Sequence, residues 1–126
     1  MNPTIAVIDD DDGVRMSLYS LVRSLGYEVR TYGSAAAFLV DAGRGAVDCI
    51  ITDLQMPQMT GEELQAQLVS SGRAPPMIFM TAFPTEATRN RVMAMGGCAF
   101  LDKPVDGDAI ARHLALAVAL ADSGKR

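Results

Sequence analysis

The sequence predicts an α/β protein in which a parallel β-sheet is covered by helices on both faces. Five short apolar runs alternate along the chain with five longer segments of helical periodicity, an order typical of parallel sheets. The runs around Val7, Ile51 and Phe79 are almost continuously apolar, as expected for central strands that are buried on both sides. Because 126 residues is the size of one domain, we expect a single sheet.

The predicted strands are short runs bounded by charged residues, glycine or proline. The second of them carries Glu28, Arg30 and Tyr32 at alternate positions, a pattern that fits a strand at the edge of the sheet. The five predicted strands are residues 4–8, 28–32, 48–52, 77–80 and 98–101.

The predicted helices are marked by their periodicity and by start or stop signals. Val14, Leu18 and Val22 recur at helical spacing, and Gly26 ends the first helix. Ser34 is a suitable N-cap for the second, alanine-rich helix. The five predicted helices are residues 14–25, 35–42, 62–71, 85–96 and 107–121. We therefore expect the domain to span residues 1–121, with 122–126 as a polar tail or the start of a linker.

The composition excludes several classes of protein. Hydrophobic residues make up 49% of the chain and charged residues 21%, which is ordinary for a globular domain and not for a disordered one. No apolar run approaches the roughly 20 residues of a membrane helix, and the acidic N-terminal segment is not a signal peptide. A net charge of −4 argues against direct binding of nucleic acid. Two cysteines are too few for a disulfide scaffold and favour the reducing cytoplasm.

Acidic residues follow two of the predicted strands directly. Asp9 and Asp10 follow the first strand, and Asp53 follows the third. Because the carboxyl ends of parallel strands meet at one edge of the sheet, these carboxylates converge if the two strands are neighbours. A cluster of oxygen ligands without His or Cys suits a hard cation such as Mg²⁺. Asp11 and Asp12 are expected to be first-turn acids of the following helix that face solvent.

A hydroxyl and an ammonium group are predicted at the same edge of the sheet. Thr81 ends the fourth strand, and Lys103 follows the fifth. Each of these residues alone has an ordinary structural explanation, as a strand threonine or a surface lysine. Together with the carboxylates they provide a nucleophile, a metal site, a hydroxyl donor and a point charge, the parts of a phosphoryl-transfer site.

Four stretches of the chain, in order, resemble the receiver domain of two-component response regulators. They are Val7-Ile8-Asp9-Asp10, residues 52–61, Met80-Thr81-Ala82 and residues 100–104, and the resemblance covers about residues 4–120. It implies a flavodoxin-like (βα)₅ fold with strand order 2-1-3-4-5. The segment Thr-Asp-Leu-Gln-Met-Pro together with Phe100 is most similar to receivers attached to LuxR-type DNA-binding domains, as in nitrogen-fixation regulators.

The resemblance implies a role for each acidic residue. Asp53 would accept a phosphoryl group from a partner histidine kinase. Mg²⁺ would be held by Asp10, Asp53 and the backbone carbonyl of Gln55, with Asp9 acting through a water molecule. The domain would be a signalling module that catalyses its own phosphotransfer and dephosphorylation, and not an enzyme that turns over a separate substrate.

The resemblance also implies how phosphorylation is detected. Thr81 and Lys103 would bind phosphoryl oxygens, and Thr81 and Phe100 would form a switch pair, with Phe where many members carry Tyr. The Lys103–Pro104 peptide bond would be cis. The surface that changes would be the fourth helix, the fifth strand and the fifth helix, which would control a homodimer partner or a DNA-binding output domain outside these residues. No membrane partner is implied.

Three other functions agree with the sequence less well than this one. A Mg²⁺-dependent phosphohydrolase with an Asp nucleophile, similar to the haloacid dehalogenases, carries Asp-x-Asp at one strand end, whereas Gln55 lies two residues after Asp53. A flavodoxin-type binding module needs a phosphate loop rich in Ser, Thr and Gly, where this chain has four aspartates. A receiver that has lost phosphorylation is disfavoured by the full set of matching residues. The alternative function is the Mg²⁺-dependent phosphohydrolase.

The two cysteines are predicted to stay free thiols. Cys49 lies on the third strand and Cys98 at the fifth, with the fourth strand between them. Two strand spacings separate them by roughly 9–10 Å. A disulfide needs Cα atoms within about 7 Å of each other.

Overall fold

The computed structural model describes residues 2–41 and 45–124, and within them it has five strands that form one parallel sheet. The strands are β1 (Thr4–Ile8), β2 (Glu28–Tyr32), β3 (Cys49–Asp53), β4 (Met77–Thr81) and β5 (Ala99–Asp102). The helices are α1 (Asp12–Ser24), α2 (Ala35–Val40), α3 (Gly61–Ser70), α4 (Glu86–Ala94) and α5 (Gly107–Gly124). The order β2-β1-β3-β4-β5 confirms the predicted topology. No described helix is both long enough and apolar enough to span a membrane.

Several elements end a few residues from their predicted limits. Asp53 and Thr81 are the last residues of β3 and β4, each one residue beyond the apolar runs 48–52 and 77–80. α2 ends at Val40 with Asp41 as its C-cap, and the predicted end at residue 42 lies outside the described residues. α5 runs beyond residue 121 to Gly124, because no positive-φ glycine or proline interrupts it. The role of residues 122–126 as a tail or linker stays a prediction.

The sheet separates two hydrophobic cores because successive side chains of each strand point to opposite faces. The core on the side of α1 and α5 contains Ile5, Val7, Ile51, Ile78, Ile110 and Leu114. The core on the side of α2, α3 and α4 contains Ala6, Ile8, Ile50, Phe79, Leu64 and Val92. With both faces covered in this way, the carboxyl edge of the sheet is left for the polar residues that end the strands.

Helix α4 is attached to α3 mainly through its C-terminal half. Val92 is its one buried residue. The side-chain amide of Gln65, buried in α3, donates a hydrogen bond of 2.8 Å to the Val92 carbonyl. Arg91 binds the Glu62 carboxylate through two hydrogen bonds of 2.6 and 3.1 Å, which lower the pKa of Glu62. The N-terminal half of α4, which follows β4, lacks a buried side chain.

Both cysteines are free thiols, as predicted. Cys49 is buried in β3, and Cys98 lies just before β5. β4 lies between these two strands. Burial raises the pKa of both thiols, so neither is an activated nucleophile.

Candidate functional site

The four consecutive aspartates after β1 have four different environments. Asp9 is fully buried, and its Oδ1 accepts the backbone N–H of Asp11 at 2.9 Å. Asp10 is exposed at the edge of the sheet. Asp11 is the N-cap of α1, and Asp12 in its first turn pairs with Arg15. Arg15 also donates to the Asp9 backbone carbonyl at 2.7 Å, which fixes the turn that presents Asp9. Asp11 and Asp12 face solvent as predicted, but Asp11 is the N-cap of α1 and not a residue of its first turn.

A single lysine bridges the carboxylates of β1 and β3. Lys103 Nζ lies 2.8 Å from Asp9 Oδ2 and 3.2 Å from Asp53 Oδ2. Asp53 is 4% exposed, so both carboxylates depend on this ammonium group for compensation. β1 and β3 are direct neighbours in the sheet, and Lys103 reaches them from the end of β5. The structure therefore brings these three sequence-predicted residues together.

The electrostatics of this group leave an excess of negative charge. Burial and the charge of Asp9 raise the pKa of the Asp53 carboxyl, and Lys103 opposes that rise. Burial works against the Lys103 ammonium, but its hydrogen bonds to Asp9 and Asp53 outweigh burial and raise its pKa. Lys103 therefore stays protonated at neutral pH. One ammonium binds the carboxylates of Asp9 and Asp53, and a third carboxylate, Asp10, lies in the same cluster.

The three carboxylates fit a divalent cation. Asp9, Asp10 and Asp53 each offer one oxygen, and these oxygens lie within 4.8 Å of one another. All three donors are hard carboxylate oxygens, the type that Mg²⁺ prefers. Because Asp10 is exposed while the other two are buried, the cluster opens to solvent on one side. The donor set therefore suits an ion that keeps several water ligands, as Mg²⁺ does.

Thr81 makes two hydrogen bonds that sequence reasoning did not anticipate. Its Oγ1 donates to Gln55 Oε1 at 2.7 Å and accepts the backbone N–H of Phe83 at 3.0 Å. The backbone N–H of Gln55 donates to Asp53 Oδ1 at 3.3 Å. The family resemblance implies a role only for the backbone carbonyl of Gln55. No pattern in the sequence marks its side chain, because the contact joins residues 26 positions apart.

The remaining predicted residues lie on or beside β5. Phe100 lies opposite Phe79 of β4 and packs, half-buried, against the core on the side of α2, α3 and α4. The Lys103–Pro104 peptide bond is cis. The backbone N–H of Lys103 donates to the Thr81 carbonyl at 2.8 Å, which ties the lysine to the end of β4.

The loop between β3 and α3 passes very close to the backbone of Asp53. Thr60 caps α3 in a reciprocal pair of hydrogen bonds with Glu63. Gly61, the first residue of α3, donates its N–H to the Leu54 carbonyl at 3.1 Å. A Cβ atom on Gly61 would lie 2.5 Å from the Asp53 carbonyl oxygen, closer than van der Waals contact permits. Position 61 therefore requires glycine for its close approach, not for its backbone conformation.

We expect Gly61→Ala to lower the free energy of unfolding by about 1–3 kcal/mol, because the methyl group must displace the Asp53 backbone or the start of α3. Urea denaturation measures the change. Gly107→Ala is the matched control, since a Cβ there meets only Leu21 methyl groups at 3.7 Å. Equal stability of the two variants would show that the loop accommodates a side chain at position 61.

Comparison with known proteins identifies the same family. The profile of the response regulator receiver domain matches residues 5–115. The chain is 35% identical over 121 residues to response regulator protein TmoT of Ectopseudomonas mendocina, covering 96% of the chain and 55% of the relative. It is 44% identical over 110 residues to transcriptional regulatory protein FixJ of Azorhizobium caulinodans, covering 84% and 50%. The chain thus spans about half the length of these curated relatives.

Solved structures agree with this assignment. The response regulator StyR superposes with a TM-score of 0.89 at 34% identity, covering 99% of this chain and 63% of StyR. The structure of FixJ-N superposes with a TM-score of 0.85 at 29% identity, covering 94% of this chain and 95% of FixJ-N. With a family profile that matches nearly its whole length and this fold, the chain belongs to the receiver domains of two-component response regulators.

Proposed function

We propose that this domain is a phosphorylation switch in which Asp53 accepts a phosphoryl group from the phosphohistidine of a sensor histidine kinase. The observation that carries the proposal is the Lys103 ammonium placed between the carboxylates of Asp9 and Asp53, at the edge where Asp10 opens to solvent. The arrangement supplies a nucleophile and a fixed positive charge in one cleft.

In the transfer step, a carboxylate oxygen of Asp53 attacks the phosphorus atom in line. The new P–O bond forms as the P–N bond to the kinase histidine breaks, and the imidazole leaves with the bonding electrons. Lys103, already 3.2 Å from Asp53 Oδ2, binds a phosphoryl oxygen as a point charge. Hydrolysis of the resulting acyl phosphate returns the domain to its starting state.

The residues that would hold Mg²⁺ are Asp10, Asp53 and the backbone carbonyl of Gln55, with Asp9 acting through water. When bound, the ion neutralises the carboxylate cluster and the charge of the incoming phosphoryl oxygens. Asp9 contributes by holding Lys103 at 2.8 Å, so that the ammonium points at the reacting carboxylate.

Phosphorylation changes the surface through Thr81 and Phe100. The phosphoryl group brings about −1.5 to −2 charges and three acceptor oxygens beside Asp53. Thr81 turns its hydroxyl to one of them, and the ring of Phe100 moves into the space that is vacated. The surface formed by α4, β5 and α5 then changes its affinity for a second copy of the domain or for a DNA-binding output domain. In a longer protein in the cytoplasm, this change would control transcription.

The test of the proposal is the intact mass of the protein after treatment with acetyl phosphate and Mg²⁺. We expect the mass to rise by one phosphoryl group and to fall back slowly when the donor is removed. Removal of Mg²⁺ with a chelator should prevent this increase in mass. Continuous release of phosphate over many turnovers would instead indicate the alternative, a Mg²⁺-dependent phosphohydrolase.

We expect Mg²⁺ to raise the thermal midpoint of the parent protein more than that of Asp10→Asn. Without metal, the variant should melt about 3 °C higher than the parent, because one of three converging negative charges is gone. Calorimetry with chelator and with Mg²⁺ measures both effects. Asp11→Asn is the control, since Asn also caps a helix and Asp11 lies outside the cluster. A full Mg²⁺ response in Asp10→Asn would contradict this metal site.

A further inference from the structure

We propose that the side chain of Gln55 is a latch: it holds the Thr81 hydroxyl in the unphosphorylated state and so sets how easily the domain switches. The inference rests on the proposed function, because it concerns the hydroxyl that would bind the phosphoryl group. Gln55 acts as a positioning residue through Thr81, in addition to the expected role of its backbone carbonyl.

The latch follows from the donor capacity of a hydroxyl group. Thr81 has one O–H hydrogen, and it is directed at Gln55 Oε1 at 2.7 Å. The Phe83 N–H already uses the acceptor side of the same oxygen at 3.0 Å. Thr81 therefore cannot donate to a phosphoryl oxygen on Asp53 until it leaves Gln55. The two hydrogen bonds are mutually exclusive. The bond to Gln55 therefore stabilises the unphosphorylated state, and the bond to the phosphoryl oxygen stabilises the phosphorylated state.

Gln55 can release the Thr81 hydroxyl at little cost because the two residues differ in burial. Thr81 is fully buried, and a buried hydroxyl without a partner is costly. Gln55 is exposed, so its amide can exchange Thr81 for water with little loss. Removal of the Gln55 oxygen leaves the Thr81 hydroxyl in need of another acceptor. It should then populate the position that phosphorylation favours.

The position of Thr81 Oγ1 is transmitted to the surface through Phe83. The Phe83 N–H donates to that oxygen, and Phe83 is 73% exposed in the segment between β4 and α4. The N-cap of α4, Thr85, follows two residues later. Because α4 is anchored through Val92 in its C-terminal half, its N-terminal end can follow residue 83.

The test compares amide NMR spectra of Gln55→Met and the parent, both unphosphorylated and with Mg²⁺. We expect the amide chemical shifts of Phe83 and of the first turn of α4 to change in the direction in which phosphorylation changes them in the parent. Loss of one hydrogen bond should raise the ratio of phosphorylated-like to unphosphorylated-like conformers about five-fold. Gln67→Met, the same substitution at an exposed position of α3, is the control and should leave these amides in place.

A second pair of variants separates the latch from a structural effect. In a Thr81→Val background, Gln55→Met should not change the amide chemical shifts in that direction, because the hydroxyl is already absent. Two results would overturn the latch: amide shifts that still change in the Thr81→Val background, or parent-like amide shifts in Gln55→Met alone. The proposed function would stand in either case if the parent incorporates phosphate. A parent that takes up no phosphate by intact mass would overturn the proposed function and the latch with it.

Discussion

Asp53→Asn is expected to abolish phosphate incorporation from acetyl phosphate, leaving the intact mass unchanged under conditions that modify the parent. The reason is chemical: an amide oxygen is too weak a nucleophile to replace the carboxylate. The other acids of the cluster cannot substitute for Asp53. Asp9 is engaged by Lys103 and by the Asp11 N–H, and exposed Asp10 makes no described contact with Lys103.

Asp102→Asn is the matched control for this experiment. Asp102 is an exposed aspartate at the end of β5, paired in register with Thr81, and it lies outside the carboxylate cluster. We expect it to take up one phosphoryl group as the parent does. Both variants should be confirmed as folded by circular dichroism. Phosphate incorporation by Asp53→Asn would move the acceptor to another residue and contradict the proposed mechanism.

Lys103→Met is expected to lower the free energy of unfolding by about 3 kcal/mol in the presence of chelator. Methionine keeps the length of the side chain but removes the ammonium. The carboxylates of Asp9 and Asp53, both almost fully buried, then face each other without compensation. Urea denaturation measures the loss, and saturating Mg²⁺ should restore part of it because a cation again balances the cluster.

Arg112→Met removes an exposed cation from α5 and serves as the control, with little expected change in stability. If Lys103→Met were as stable as this control in chelator, the Lys103 ammonium would not be what balances the buried carboxylates.

The fold was predictable because its signals are local and agree with one another. The apolar runs around Val7, Ile51 and Phe79 are typical of strands buried on both sides in a parallel sheet covered by helices, and both cores contain residues of these runs. The convergence of the carboxylates was predictable for a related reason. Strand ends in such a sheet share one edge, so Asp9 and Asp53 had to converge once β1 and β3 were neighbours.

The finer contacts of the site could not be read from the sequence. The bond between Gln55 and Thr81 depends on the path of the loop after β3 and on the register of β3 with β4, both of which are tertiary properties. The same is true of the approach of Gly61 to the Asp53 carbonyl. Neither residue type marks its role, since glutamine and glycine are common in loops.

Chemical mapping of the phosphorylated residue tests the central claim most directly. The protein is treated with acetyl phosphate and Mg²⁺ and then reduced with borohydride, which converts an aspartyl phosphate to homoserine. Peptide mass spectrometry then locates the converted residue. The proposed mechanism predicts homoserine at position 53 and unmodified aspartate at positions 9, 10 and 102. Homoserine at any of these other positions, or at none while the intact mass rises, would contradict it.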